Sequence, residues 1–133
     1  MQVKRFGVSL ENELLEELDK LVVTNQFPNR SQAIRYLIKN NIVEKQWQND
    51  EEVAGAIVIV YDHHKRDLSN QLNHLQHNFH ELILAVQHVH LNHHNCIETI
   101  TVKGKANDLR KLADQIIAIK GIKYGELAMC SSE

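Results

Sequence analysis

The sequence has few features of a secreted or membrane-inserted chain. Its two cysteines, Cys96 and Cys130, are too few and too far apart for the disulfide framework of a small secreted domain. No apolar run approaches the roughly 18 residues that a spanning helix needs, and the N-terminal residues lack the apolar segment of a signal peptide. These absences predict a cytoplasmic protein with no membrane partner, in which Cys96 is free to act as a thiolate.

An excess of charge is also missing. The 133 residues carry 15 Lys and Arg against 17 Asp and Glu. Residues 1–45 carry seven basic side chains against six acidic ones, and the remainder carries eight against eleven. A domain that binds nucleic acid through charge alone is strongly basic. The composition therefore gives no indication of a DNA-binding protein.

A short alternating segment opens the chain. Residues 4–10, KRFGVSL, place apolar side chains on every second position, which is typical of a half-buried strand. The opposite face of this predicted strand carries Arg5, Gly7 and Ser9.

Two helical patterns follow, separated by the only proline, Pro28. Residues 11–23 and 30–43 each have an apolar stripe at helical spacing. One strand and two helices cannot bury enough surface alone, and a lone strand leaves both edges unpaired. Two chains that pair their strands into an antiparallel ribbon solve both problems, and such a ribbon fits the DNA major groove. A dimerisation element without nucleic acid is the alternative.

The polar segment EKQWQNDEEV marks a domain boundary. It predicts a first domain over residues 1–47 and a second over residues 52–133. The second half alternates short apolar strands with helices in the order β-α-β-β-α-β, which is the ferredoxin-like order. The predicted fold class is α+β, with an N-terminal β-α-α unit and a C-terminal ferredoxin-like, ACT-like domain.

Residues 87–100, QHVHLNHHNCIETI, contain four of the nine histidines. His88 and His90 lie two apart on a predicted strand, so their side chains share a face about 7 Å apart. The following hairpin brings Cys96 beside His90. These three residues predict a metal site. Mixed imidazole and thiolate donors favour zinc by default, whereas a planar arrangement favours nickel or copper(II).

The helix before this strand offers a fourth histidine. At about 100° per residue, His77 projects opposite the apolar stripe of its own helix. Periodicity alone therefore predicts a solvated surface histidine. The other histidines are also predicted to be scattered and solvated, with weaker surface metal sites as the alternative: His63, His64, His74, His80, His93 and His94.

The N-terminal residues KRFGVSLENELLEELD and NRSQAIRYLI resemble the ribbon–helix–helix DNA-binding module. The resemblance implies base-reading positions at Arg5, Gly7 and Ser9. It also implies backbone-phosphate positions, which are Asn29, Arg30, Ser31 and Arg35. Gly7 departs from the pattern, because that position usually carries a side chain able to reach a base.

The whole chain resembles the nickel-responsive regulators called NikR, through VYDHHKRDL, LQH, HVH, HNC before IET, and VKG. The resemblance implies one Ni²⁺ per chain in a square-planar site. Its implied ligands are His88, His90 and Cys96 from one chain and His77 from another. Residues implied to support them are Tyr61, Gln76 and Glu98, and residues implied to reach DNA phosphate are Lys65 and Arg66.

Together these observations predict a homotetrameric, nickel-dependent repressor, a dimer of dimers that binds a double-stranded operator and is not an enzyme. Gln32 and Tyr36 stand where family members often carry acids, so no secondary cation site is predicted there. The alternatives are a regulator that responds to another ligand or metal, and a metal storage or delivery protein. A zinc hydrolase with Glu98 as base is disfavoured, because four protein ligands leave no position for water.

Overall fold

The computed structural model describes residues 1–133, which divide into two compact units, Met1–Asn41 and Ile42–Glu133. The regular elements, in chain order, are α1 (Asn12–Thr24), α2 (Arg30–Gln48), β1 (Glu52–Asp62), α3 (Arg66–Asn78), a 3-10 helix (His80–Leu82), β2 (Ile83–His90), β3 (Asn95–Lys105), α4 (Ala106–Ile117) and β4 (Ile122–Cys130). None of these helices combines the length and hydrophobicity that crossing a bilayer requires.

The first unit has almost no core of its own. Ala33 is its only buried residue, and apolar side chains such as Phe6 and Val8 are exposed. A bidentate ion pair joins its helices: Arg30 Nε donates to Asp19 Oδ1 at 2.8 Å and Nη2 donates to Oδ2 at 3.0 Å. This hydrogen bond lowers the pKa of Asp19 below its ordinary value.

The predicted strand over residues 4–10 is not formed in a single chain. Residues 1–11 lie in neither a helix nor a strand. A strand requires a hydrogen-bonded neighbour, and the sequence prediction took that neighbour from a second chain. Within one chain, the apolar side chains of Phe6, Val8 and Leu10 therefore stay exposed.

The segment predicted to be a polar linker is helical over much of its length. α2 continues through Gln48, beyond the predicted end at residue 43. Trp47 in its last turn is buried, with 1% of its surface exposed. Its Nε1 donates to the Cys130 carbonyl oxygen at 3.0 Å, and the Arg110 guanidinium lies 5.5 Å from the ring centroid. Trp47 therefore belongs to the core of the second unit.

The second unit is a four-stranded antiparallel sheet in the order β2-β3-β1-β4. β1 alternates strictly, with every second residue buried, because one face of the sheet packs against helices. α3 and α4 bury their apolar stripes in this core, through residues such as Leu72 and Leu112. The predicted ferredoxin-like order is confirmed.

Candidate functional site

The outermost strand pair of the sheet brings three predicted metal ligands to one face. His90 stands opposite Cys96 in the β2–β3 register, and His88 stands opposite Glu98. Side chains paired across neighbouring strands share a face of the sheet. Cys96 and Glu98 are buried toward the helices, so His88 and His90 lie on that same side. The two imidazole centroids are 5.2 Å apart.

A buried carboxylate holds one of these ligands. Glu98 is 6% exposed, and its Oε1 lies 3.2 Å from His88 Nδ1. Tyr61 Oη donates to the same Oε1 at 3.3 Å and lies 3.3 Å from His88 Nδ1. Gln76 Nε2, from α3, donates to the other carboxylate oxygen at 2.9 Å. The three residues that the resemblance implied as supports therefore form one network around His88.

The network selects a tautomer of His88. A carboxylate only accepts hydrogen bonds, so the neutral imidazole facing Glu98 carries its proton on Nδ1. Its Nε2 then has a free lone pair. A carboxylate behind a histidine is the common means of orienting an imidazole ligand and raising its basicity. This arrangement fits a metal ion on the Nε2 side of His88.

The sulfur donor sits beneath this network. Cys96 is fully buried, and its Sγ lies 3.5 Å from the Tyr61 carbonyl oxygen. Burial raises the pKa of the Cys96 thiol, so an ion bound there has to displace a proton. Burial, followed by the charge of Glu98, also raises the pKa of Tyr61, which keeps its hydroxyl protonated as a donor.

His77 lies apart from this set. It is exposed in the last turn of α3, and its ring stacks with that of His80 at 6.2 Å between centroids. Within one chain, His88, His90 and Cys96 are the predicted ligands that share a face. Their donor atoms do not all lie within 4.8 Å of one another, a spacing that only Asp62, His64 and His94 meet.

The first unit exposes every residue of the predicted ribbon surface. Arg5, Gly7 and Ser9 are all open to solvent, and a Cβ atom added at Gly7 would have nothing within 4 Å. Two of the four predicted phosphate positions also have structural partners. Asn29 Oδ1 accepts from the Gln32 backbone N–H at 2.9 Å and so caps α2. Arg30, already paired with Asp19, is the other.

The remaining predicted DNA contacts are exposed. Ser31 and Arg35 lie in the first turns of α2, with their side chains open to solvent. Lys65 and Arg66 stand at the start of α3 in the second unit and are likewise exposed.

Both halves of the chain match known families. Residues 54–130 match the NikR C terminal nickel binding domain, and residues 4–45 match the ribbon-helix-helix protein, copG family. The chain belongs to the NikR family of nickel-responsive regulators. It is therefore a regulator with a ribbon–helix–helix DNA-binding region and a nickel-binding domain, and it is not an enzyme.

Relatives cover nearly the whole chain. One from Syntrophus aciditrophicus, named "Putative nickel-responsive regulator", is 46% identical over 127 residues, which are 96% of this chain and 93% of the relative. Another of the same name, from Desulfovibrio desulfuricans, is 50% identical over 121 residues, 91% of this chain and 88% of the relative. An uncharacterized protein from Thermotoga maritima has a similar fold, with a TM-score of 0.54 at 21% identity over 59% of this chain and 98% of its own.

The sequence analysis left open weaker surface sites at the remaining histidines, but it did not identify two side-chain groupings near the predicted metal ligands. The His63 ring stacks on His90, with 4.4 Å between centroids and 20° between planes, and also contacts His64 at 4.1 Å. Burial and the neighbouring histidines lower the pKa of His63. Asp62, His64 and His94 form a second group of donors. The signal that could have found both groups is the register of β1 against β3, because it sets the end of β1 beside the β2–β3 hairpin.

Proposed function

We propose that this protein is a nickel-dependent repressor that binds an operator as a homotetramer, with one Ni²⁺ per chain. The observation that carries the proposal is the buried Glu98, which accepts a hydrogen bond from His88 Nδ1 and so leaves Nε2 free on the face that also carries His90 and Cys96. One strand pair thus carries three potential donors of two chemical types on one face.

The proposed ligands are His88, His90 and Cys96 of one chain and His77 of a second chain. Imidazole and thiolate donors suit borderline divalent ions of the late first row. His77 is exposed on α3, so it is available to a neighbouring chain. Bound nickel would join two chains at this site and so give assembly a dependence on the metal.

Two exposed apolar surfaces support the proposed assembly. In the first unit, Phe6, Val8 and Leu10 would face a partner if two N-terminal segments paired as strands, which would direct Arg5 outward. In the second unit, the sheet face away from the helices is uncovered, and its exposed side chains include Val89 and Tyr124. A tetramer formed from two dimers would cover both surfaces.

Nickel would then act as an allosteric effector. Coupling requires two distinct sites and a difference in how nickel binds the states that do and do not hold the operator. Exposed Lys65 and Arg66, in the same unit as the metal ligands, are the residues proposed to reach DNA phosphate in the nickel-bound state.

Selection of DNA in the presence of metal tests this function. The full-length protein is incubated with a random duplex library and Ni²⁺, Zn²⁺, Cu²⁺ or no metal, and the retained DNA is sequenced. We expect one two-fold symmetric sequence to be enriched with Ni²⁺, and a reporter behind that sequence to fall on nickel addition. Equal enrichment without metal, or none with any metal, would exclude nickel-dependent operator binding.

Mixed assembly tests the ligand shared between chains. His77→Ala and Cys96→Ala chains should each bind nickel poorly alone. The control is a His74→Ala chain, which loses an exposed histidine on the same helix and should bind nickel normally. When the two defective chains are co-assembled, some sites combine His88, His90 and Cys96 of a His77→Ala chain with His77 of a Cys96→Ala chain. Under random mixing, roughly a quarter of the sites should be complete in this way. No recovery despite confirmed mixed tetramers would favour a site within one chain.

A further inference from the structure

The end of β1 and the β2–β3 hairpin bring together three metal-binding side chains outside the site described above. Asp62 is the last residue of β1, His64 follows in the turn before α3, and His94 lies in the hairpin. One donor atom from each lies within 4.8 Å of the other two. We propose that Asp62, His64 and His94 form a second divalent-metal site, complete within a single chain.

Hydrogen bonds join the turn after β1 to the β2–β3 hairpin, and others stabilise the hairpin internally. The His63 backbone N–H donates to the His94 carbonyl oxygen at 3.1 Å, which joins the turn to the hairpin. Within the hairpin, Asn92 Oδ1 accepts from the backbone N–H groups of His94 and Asn95, at 2.9 Å and 2.8 Å. These bonds fix the backbone that carries two of the three donors.

The carboxylate is oriented as well. Asp62 Oδ1 accepts from the His64 backbone N–H at 2.9 Å and lies 3.2 Å from His64 Nδ1. The hydrogen bond from the His64 backbone holds the pKa of Asp62 below its ordinary value, so the carboxylate is charged. Asp62 Oδ1 and His64 Nδ1 thus already stand close to the about 3.4 Å that separates two ligands of one tetrahedral ion. An ion between them would take the Nδ1 lone pair of His64, with the imidazole proton on Nε2.

Only a small adjustment closes the site. Zinc–nitrogen and zinc–oxygen bonds of about 2.1 Å place donors about 3.4 Å apart in a tetrahedral site. Each pair of donor atoms lies within 4.8 Å, so no pair is more than about 1.4 Å too wide for such a site. His64 and His94 are exposed, so their rings can turn without displacing core atoms.

The donor set predicts the kind of ion. Two imidazoles and one carboxylate suit Zn²⁺, Cu²⁺, Ni²⁺ or Co²⁺, and the Irving–Williams order makes Cu²⁺ the strongest binder among them. Without a thiolate or a fourth protein ligand, the site is open to water. It should therefore hold its ion more weakly than the site containing Cys96, and it should fill independently of assembly.

The proposal is tested in a background that lacks the thiolate. Full-length Cys96→Ala protein is dialysed against Zn²⁺ or Cu²⁺, and bound metal per chain is counted across a range of free-ion concentrations. In this background we expect one ion per chain to bind in addition to any that the remaining ligands of the first site still hold. His94→Gln should weaken that binding by more than the about 10–100-fold typical of losing a supporting residue. His93→Gln, which removes the adjacent hairpin histidine, should leave the binding unchanged.

Two further measurements guard against a folding defect and against general adsorption to histidine. Asp62→Asn keeps the side-chain acceptor for the His64 backbone but removes the charge, and it should also weaken binding while the thermal unfolding midpoint stays near that of the parent. Imidazole NMR signals of His64 and His94 should shift together on zinc addition. Equal losses in His93→Gln and His94→Gln, or no shift of these signals, would overturn the proposal.

Discussion

Replacing Glu98 by glutamine removes the charge of the carboxylate that holds His88 while preserving the shape of the side chain. The amide oxygen can still accept from His88 Nδ1, and Gln76 can turn its own amide to pair with the new NH₂ group. What is lost is the charged character of the bonds now measured at 3.2 Å to His88 and 2.9 Å to Gln76. Charge-assisted hydrogen bonds are about twice as strong as neutral ones.

The expected magnitude follows from that difference. Removing a residue that orients a metal ligand costs about 10–100-fold in affinity, or about 1.4–2.7 kcal/mol. Because Glu98→Gln keeps the hydrogen-bond geometry, it should fall near the lower limit, about tenfold weaker nickel binding. Glu98→Ala removes the acceptor altogether and should approach the upper limit, about 100-fold.

Competition with a chelator of known affinity measures both values on the full-length protein. Glu81→Gln, in the exposed 3-10 helix of the same unit, is the matched control and should bind nickel as the parent does. Urea denaturation without metal separates a loss of affinity from a loss of folding. Parental nickel affinity in Glu98→Gln, with the folded state intact, would refute the orienting role.

Three further substitutions have direct readouts. Cys96→Ala should abolish thiolate-to-nickel charge-transfer absorption, whereas Cys130→Ala should retain it; an unchanged spectrum in Cys96→Ala would count against sulfur ligation. Arg5→Ala should remove sequence-specific DNA binding at about 1–3 kcal/mol per lost guanine contact while exposed Lys20→Ala on α1 does not, and an unchanged footprint would show that the ribbon is not the reading surface. Trp47→Ala should lower the free energy of unfolding by about 3–5 kcal/mol in urea denaturation, because the ring is fully packed; a loss below about 1 kcal/mol would contradict that packing.

The order of strands and helices in the second unit was predictable from local patterns of apolar residues. Short apolar runs such as β1 predict the strands, and the apolar stripes of α3 and α4 carry the helical period. Local periodicity therefore determined the element order. The pairing of His90 with Cys96 was also accessible, because a short hairpin fixes which residues stand opposite each other.

Contacts distant in sequence were not accessible from the pattern. Gln76 and Glu98 meet because a helix docks on a strand, and no spacing rule fixes that docking; only the family resemblance pointed to them. Trp47 sits in a polar run, and its burial depends on Cys130 at the far end of the chain. The strand expected at residues 4–10 depends on a neighbour that a single chain does not contain.

In the proposed assembly, the near-absence of a core in the first unit makes the stability of this unit depend on protein concentration. Ala33 is the only buried residue before Asn41, whereas the core of the second unit includes sixteen buried residues. A segment that completes its fold only with a second copy has a melting temperature that rises with protein concentration. On dilution the ribbon–helix–helix region would lose structure while the nickel-binding domain stays folded. The number of molecules in the cell would then limit operator occupancy alongside nickel itself.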